Sequence, residues 1–393
     1  MAYDGSCLPD DVLVQILLLI PASSRRPLRL VCKGWRNVID ERAPPEENLP
    51  RKILVFMNQG RSCSALVFDG SGRHRTHAWA FTSSSDEGRV HMVGTCNGLL
   101  CLHDHTTYGG ISLSAVMVTN PVTGETVALP PVPTRWAWSQ FAKGPGKYSF
   151  GFHPETKLHK VVHIPRGQRR SVDAVQVFTL GAGGKAWREV PVPVPSACYD
   201  LLCYVGGSTY WLAAASSGSG TGRVMALDLG DERVTSLDAP PAMGPAPTRS
   251  TARDTWRLTK VRASLGVMVS SVGMSLISVD VWVLDGGGAE KPQWERRYSV
   301  AQTAWSSWVM APQLTHGDWI LSASRDEWNY TSSWRRKRQL HRRKVGELTD
   351  GGGTGRQLPP PKGAQLIMST EERECEFTTF AYVETLNPVP RSK

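Results

Sequence analysis

No apolar run in this chain reaches the ~20 residues needed to cross a bilayer. The longest early one, Val12 to Ile20, is interrupted by Gln15 and preceded by Asp10 and Asp11. A signal peptide would carry positive charge there and small residues at a cleavage site. No membrane partner is expected, and the sequence places the protein in the nucleus, the cytoplasm or both. Cysteine is sparse as well. Eight in 393 residues do not make a disulfide framework. The pairs Cys96/Cys101 and Cys198/Cys203 lack a second pair at a spacing that would complete four zinc ligands. They read as reduced thiols packed in or near strands.

Catalytic motifs are missing too. There is no G-x-x-x-x-G-K-[ST] loop, no G-x-S-x-G elbow and no H-E-x-x-H pair. The glycine-rich run from Gly181 to Lys185 opens no helix, so it reads as a hairpin turn and not a phosphate cradle. His103/His105 and His153/His159/His163 sit in strand or turn segments, and no carboxylate or tyrosine is identified that would complete a metal site with them. No enzyme activity, metal or cofactor is expected.

What is present falls into two parts. The first is helical in pattern. Pro9 suits the first helical position, where its missing N–H costs nothing. Asp10 and Asp11 follow at the positive end of the helix dipole. Leu13, Ile16, Leu17 and Ile20 recur at helical spacing until Pro21 stops the run. Ser23 or Ser24 can cap a second helix with Leu28, Val31, Cys32 and Trp35 on its apolar side. Gly34 marks a break before a last turn through Val38 and Ile39. About forty residues bury too little surface for an independent core, yet the segment is strongly apolar. That surplus points to a partner surface, or to packing on the rest of the chain.

Residues 43–52 contain APPEENLP and read as a linker. From residue 53 to 393 the signals are strands and turns. A short apolar strand, a Gly/Asp/Asn turn and a second strand recur as LVFDGSGR from Leu66 and VMVTNPVTGETVALPP from Val116. The unit returns as VQVFTLGAGGKAWREVP from Val175, VMALDLGDERVTSLDAPP from Val224 and VDVWVLDGGGAEKPQWERR from Val279. Between these lie hairpins of another type, such as VGTCNGLLCLHD from Val93 and YVGGSTYWLAA from Tyr204. Two hairpins per repeat make four strands, one propeller blade. At ~50 residues each, the stretch predicts about six to seven kelch-like blades. Ile53–Met57 and Phe377–Val383 are expected to share a blade and close the ring. The fold class is therefore α+β multidomain: a small N-terminal helical domain and an all-β propeller.

The net charge of +10 is local. Residues 335–344 read RRKRQLHRRK, and removing their seven Lys/Arg leaves +3 for the rest. The cluster has three readings: a solvated loop or edge strand, a nuclear import signal, or a surface for an acidic or phosphorylated partner. On the third reading, Trp328, Trp334, Arg335, Arg336, Arg342 and Arg343 are candidate contacts, joined by a smaller patch of Arg166, Arg169 and Arg170. Arginine with tryptophan suits an interface hot spot. The Trp136/Trp138 loop and the 239–250 stretch are further candidate loops.

Residues LPDDVLVQILLLIPASS…LRLVCKGWRNVIDER resemble the F-box. CNGLLCLHD, NPVTGETVALPP, YSFGFHPET…KVV, DLGDERV and VDVWVLD…W resemble the F-box-associated domain of plant F-box proteins. The match thins between Ala301 and Pro361. The resemblance implies an F-box over residues 1–42 that docks on a Skp-type adaptor held by a cullin-RING scaffold, and a propeller that binds a target protein for ubiquitination. It assigns adaptor contact or F-box core to Leu8, Pro9, Ile16, Leu17, Pro21, Leu30, Val31, Cys32 and Trp35. One departure stands out: Arg25-Arg26-Pro27 replaces the leucine-like pair of the family. Each buried leucine so lost forfeits about 1.5–3 kcal/mol, which predicts weaker adaptor binding. The other class of function weighed is a propeller scaffold that binds RNA or anionic partners without ubiquitin transfer, although nucleic acid is not the expected partner.

Overall fold

The computed structural model describes residues 9–19, 28, 31–38, 52–59, 62–108, 111–133, 147–165, 172–181, 186–196, 198, 202–213, 222–241, 254–272, 276–285, 292–303, 309–316, 319–330, 333–344, 365–370 and 375–391. Helix α1 covers Asp10–Leu19. Pro9 starts it, its carbonyl accepting the N–H groups of Val12 and Leu13 at 2.9 and 3.0 Å. The second helix differs from expectation. Val31 lies in a turn, and a separate short helix, α2, runs over Lys33–Asn37. The reason is its cap: Cys32 is extended (φ −161°), and its Sγ accepts the Trp35 N–H at 3.4 Å.

All other described elements are strands. Their turns follow from asparagine, aspartate and glycine chemistry. Asn97 and Gly98 both have positive φ, 49° and 78°. That is the two-residue turn that matches strand twist, and it joins β4 (Arg89–Cys96) to β5 (Leu99–Tyr108). Elsewhere a side chain organises the turn. Asn120 Oδ1 accepts Val122 N–H at 2.9 Å, and Asp228 Oδ1 accepts Gly230 N–H at 2.6 Å.

The strands form five sheets. One contains β1 (Lys52–Gln59), β2 (Ser62–Phe68) and β3 (Arg75–Thr82), with the last strand, β24 (Glu376–Tyr382), added beside β1. The second runs β4, β5, β6 (Ile111–Thr119), β7 (Thr126–Ala128). The third comprises β8 (Lys147–His153), β9 (Leu158–Ile164), β10 (Val172–Thr179) and β11 (Arg188–Ser196). The fourth comprises β12 (Cys203–Val205), β13 (Ser208–Ala213), β14 (Arg223–Asp228) and β15 (Val234–Asp238).

The fifth sheet has eight strands. Its first half is β16 (Asp254–Val261), β17 (Ser264–Val272), β18 (Leu276–Asp285) and β19 (Gln293–Thr303). The other half is β20 (Val309–His316), β21 (Trp319–Tyr330), β22 (Ser333–Lys344) and β23 (Gln365–Thr370). Five sheets correct the expected six to seven blades. The repeat period counts hairpin pairs, and here two such pairs share one sheet through a single parallel pairing, Val261↔Thr315. The innermost strands β24, β4, β8, β12, β16 and β20 neighbour one another in that order, and β20 returns to β24. The arrangement is an all-β propeller.

The core lies between facing sheets. Leu54, Val67, Leu100, Leu102 and Tyr382 fill the gap between the first and second. Val162, Val177, Trp211, Leu227 and Leu229 fill that between the third and fourth. An ion network also joins those two sheets. Glu232 Oε1 lies 2.7 Å from Lys160 Nζ and 2.5 Å from Arg188 Nη2. Burial alone would raise the Glu232 pKa; Arg188 and Lys160 overcome it and hold the carboxyl below its usual range. Lys160 is only 4% exposed. Glu232→Gln leaves that ammonium without its counter-charge, so a loss of about 3 kcal/mol is expected in urea unfolding at neutral pH. An unchanged midpoint would refute it.

Candidate functional site

The described helical residues have a very small core. Leu13 and Val38 are buried, with Val14, Leu28 and Trp35 packed part-way against them. On the outside, Val31 is 61% and Val12 44% exposed, among the few large apolar side chains so placed. Cys32 and Pro9 are exposed and Ile16 is half-buried. Thus Pro9, Val31 and Cys32 are on the surface, whereas Trp35 contributes to the small core. The side chain of Leu17 is outside the described set, as are Leu8, Pro21, Leu30 and the Arg25-Arg26-Pro27 departure.

The basic run divides in two. From Arg338 to Arg342, β22 is not an edge strand: it lies between β21 and β23. At its lower end Leu340, His341 and Arg342 are all buried. Arg342 Nη1 donates to Gly70 O at 3.0 Å, and Nε donates to Gln365 Oε1 at 2.7 Å. Burial, then the nearby charge of Arg73, lowers its pKa. This corrects the reading of Arg342 as a surface contact: it clamps the β2–β3 turn to β23. At the upper end Arg335, Arg336, Trp328 and Trp334 occupy paired strand positions, Trp328↔Arg335, Glu327↔Arg336 and Asn329↔Trp334. Arg343 pairs with Ile320. Arg166, Arg169, Arg170 and the Trp136/Trp138 loop lie outside the described residues.

The histidines gather inside the propeller. His103 and Tyr148 rings are 4.5 Å apart, as are Tyr148 and His163, and His105 continues the column at 5.9 Å from His103. His103 Nε2 lies 2.6 Å from Ser114 Oγ, and His163 Nδ1 lies 2.8 Å from Gln176 Oε1. Burial, then His105, His91 and His163, pushes the His103 pKa down to about 3. Burial pushes His163 and His159 down to about 4. Neutral and stacked, with His103 and His163 also hydrogen-bonded, they act as packing. Among the described residues no group of three or more His, Cys, Asp or Glu could hold a metal ion. No helix among them is long and apolar enough to cross a membrane.

The sequence reading missed one feature, a strap formed by the residues after β24. Glu384 pairs with Lys52 and lies 2.7 Å from His77 Nε2. Asn120 Nδ2 donates to Thr385 O at 3.1 Å and to Asn387 O at 2.8 Å. Val389 N–H donates to Glu125 Oε2 at 3.0 Å, and its side chain joins the core between the second and third sheets. A Cβ at Gly98 would strike Thr385, so this turn needs glycine for its space as well as its φ. The NPVTGE turn was visible in the sequence; its long-range partners were not.

Comparison with known proteins agrees with both parts. The F-box domain matches residues 6–45, and the F-box associated beta propeller domain matches residues 53–329. F-box protein At3g07870 of Arabidopsis thaliana is 24% identical over 326 residues, covering 75% of this chain and 72% of its own. Putative F-box protein At1g33530 of the same plant is 24% identical over 352 residues, covering 83% of this chain and 72% of its own. Among solved structures, the beta-propeller domain of the Trilobed protease from Pyrococcus furiosus overlaps with a TM-score of 0.34 at 10% identity, over 64% of this chain and 68% of that one. An overlap that loose carries no argument. The chain belongs to the F-box proteins that carry an F-box associated beta propeller domain.

Proposed function

We propose that this protein is the substrate-recognition subunit of a Skp-cullin-F-box ubiquitin ligase. Residues 1–42 bind the Skp-type adaptor, residues 43–52 link, and the propeller of residues 53–393 holds a target protein. The observation that carries the reading is the exposed apolar pair Val12 and Val31 on a helical unit whose described core is little more than Leu13 and Val38. Exposed apolar surface on so small a unit is stabilised by a partner. The chain supplies no catalytic group of its own. Its contribution to ubiquitin transfer is proximity, holding the target's lysines near the charged enzyme.

The test is co-purification with a Skp-type adaptor. The wild-type chain is expected to retain it at micromolar concentration, and Val31→Asp combined with Val12→Asp is expected to weaken retention at least tenfold. Burying two unpaired carboxylates in place of two apolar side chains costs more than the ~1.4 kcal/mol that tenfold represents. Absence of adaptor binding by the wild-type chain would sink the proposal.

A further inference from the structure

β21 and β22 are each twelve residues long, longer than the sheet that holds them. β20 pairs with β21 only as far as Ser324, opposite Val309. β23 pairs with β22 only as far as Arg338, opposite Thr370. Beyond those limits the register continues from Asp326↔Lys337 to Tyr330↔Ser333, five pairs with no third strand among the described residues, with Arg325↔Arg338 at their base. At ~3.3 Å per residue, a two-stranded ribbon stands about 16 Å beyond the sheet, on the side where β20 begins. Such a ribbon is marginal in water unless something packs against it.

Its register sets charged residues opposite one another. Asp326↔Lys337 and Glu327↔Arg336 set opposite charges across the ladder. Arg325↔Arg338 sets two like charges directly opposite, which destabilises a ladder. Arg335 faces Trp328, which brings no acid. Side-chain period two puts the positions of Arg325, Arg336, Arg338 and Trp334 on one face, and those of Lys337, Arg335, Trp328 and Tyr330 on the other. Each face therefore combines cations with an indole, the pairing that anchors interfaces.

We infer that this ribbon is the element that receives the target, and that it takes an extended acidic or phosphorylated protein segment. Anions on that segment relieve the Arg325/Arg338 repulsion, and arginine offers them two-pronged hydrogen bonds. A peptide suits the site better than a nucleic acid. An extended peptide can pair with the ribbon edges that no described strand covers, which a nucleic acid cannot do. The inference rests on the substrate-receptor reading.

The experiment uses the full chain purified with its Skp-type adaptor. Fluorescence anisotropy measures binding of a fluorescein-labelled Glu-Ser repeat peptide, the same peptide with phosphoserine, and a single-stranded RNA of equal length. The wild type is expected to bind at least one peptide more tightly than the RNA. R325E/R338E, and separately Arg335→Ala, are expected to weaken peptide binding about tenfold or more, with adaptor retention unchanged. Tighter binding of the phosphorylated probe would assign the anion to phosphate, and equal binding to carboxylate. No peptide binding by wild type, unchanged binding in both variants, or tighter RNA binding would each overturn the inference. Loss of adaptor retention in the wild type would instead count against the ligase reading.

Discussion

Removal of residues 377–393 is expected to abolish the cooperative unfolding transition of the propeller. Those residues contribute to the closing strand and carry the whole strap. β24 pairs with β1 from Lys52↔Tyr382 to Asn58↔Glu376, and the deletion removes all of that ladder but its last position. At roughly 1 kcal/mol net per hydrogen bond, the ladder alone contributes several kcal/mol. Tyr382 and Val389 are fully or almost fully buried, and each contributes about 1.5–3 kcal/mol. Together the losses reach about 10 kcal/mol, comparable to the 5–15 kcal/mol that ordinarily separates folded from unfolded states. They also open a ring whose innermost strands otherwise neighbour one another all the way round. A milder variant separates strap from strand. Asn120→Ala keeps β24 but removes both bonds to the strap and the acceptor of its own turn. It is expected to cost about 2–3 kcal/mol while leaving a single transition. A truncated chain that melts like the full one would refute the closure.

Ring closure was legible because both partners, ILVFM and FTTFAYV, are compact β-branched and aromatic runs at the two ends of a repetitive stretch. The repeats were legible for a related reason. Turn chemistry is local, and Asn97-Gly98, Asn120 and Asp228 announce their turns without reference to the rest of the chain. Sheet number was not local. Whether two neighbouring hairpin pairs share a sheet depends on one backbone pairing, Val261↔Thr315, which no residue type encodes. The same distinction separates the candidate contacts. Composition groups Arg335 to Lys344 into one cluster, but burial depends on where the strand meets its neighbours. Gln365, far along the chain, turns Arg342 into an interior clamp. In the helices, Val31 and Cys32 fit an apolar stripe by spacing, yet the Cys32 cap ends that stripe and turns Val31 outward.

Stability is expected to fall steeply between pH 7 and pH 5, in the window where unfolded histidines titrate. In the folded state His103 has its pKa pushed down to about 3, and His159 and His163 to about 4, each by burial before any other cause. Unfolded, each returns to ~6.5. A depressed histidine means that the unfolded chain binds protons first, so stability declines as pH drops through 6.5 and levels off only near the folded values. At pH 5 each group is about 1.5 pH units below its unfolded pKa, or about 2 kcal/mol, and the three together forfeit about 6 kcal/mol. Asp104 beside His103 offsets this only in part, because burial is the larger cause. The carboxylates extend the decline lower down. Asp69, Asp104 and Glu232 all have lowered pKa values in the fold, so their contribution is lost as pH falls through the ordinary carboxylate range towards the lower folded values. Urea unfolding at pH 7 and pH 5 measures the upper window directly. One substitution isolates its origin. His159 lies between Phe150 and Phe152, ring centroids 5.7 and 4.9 Å away, and its Nε2 has no hydrogen-bond partner. His159→Phe keeps an aromatic ring in that stack and removes a titrating group, so it should shrink the pH 7-to-5 loss by about 2 kcal/mol. Equal losses in the variant and the wild type would show that the acid sensitivity resides elsewhere.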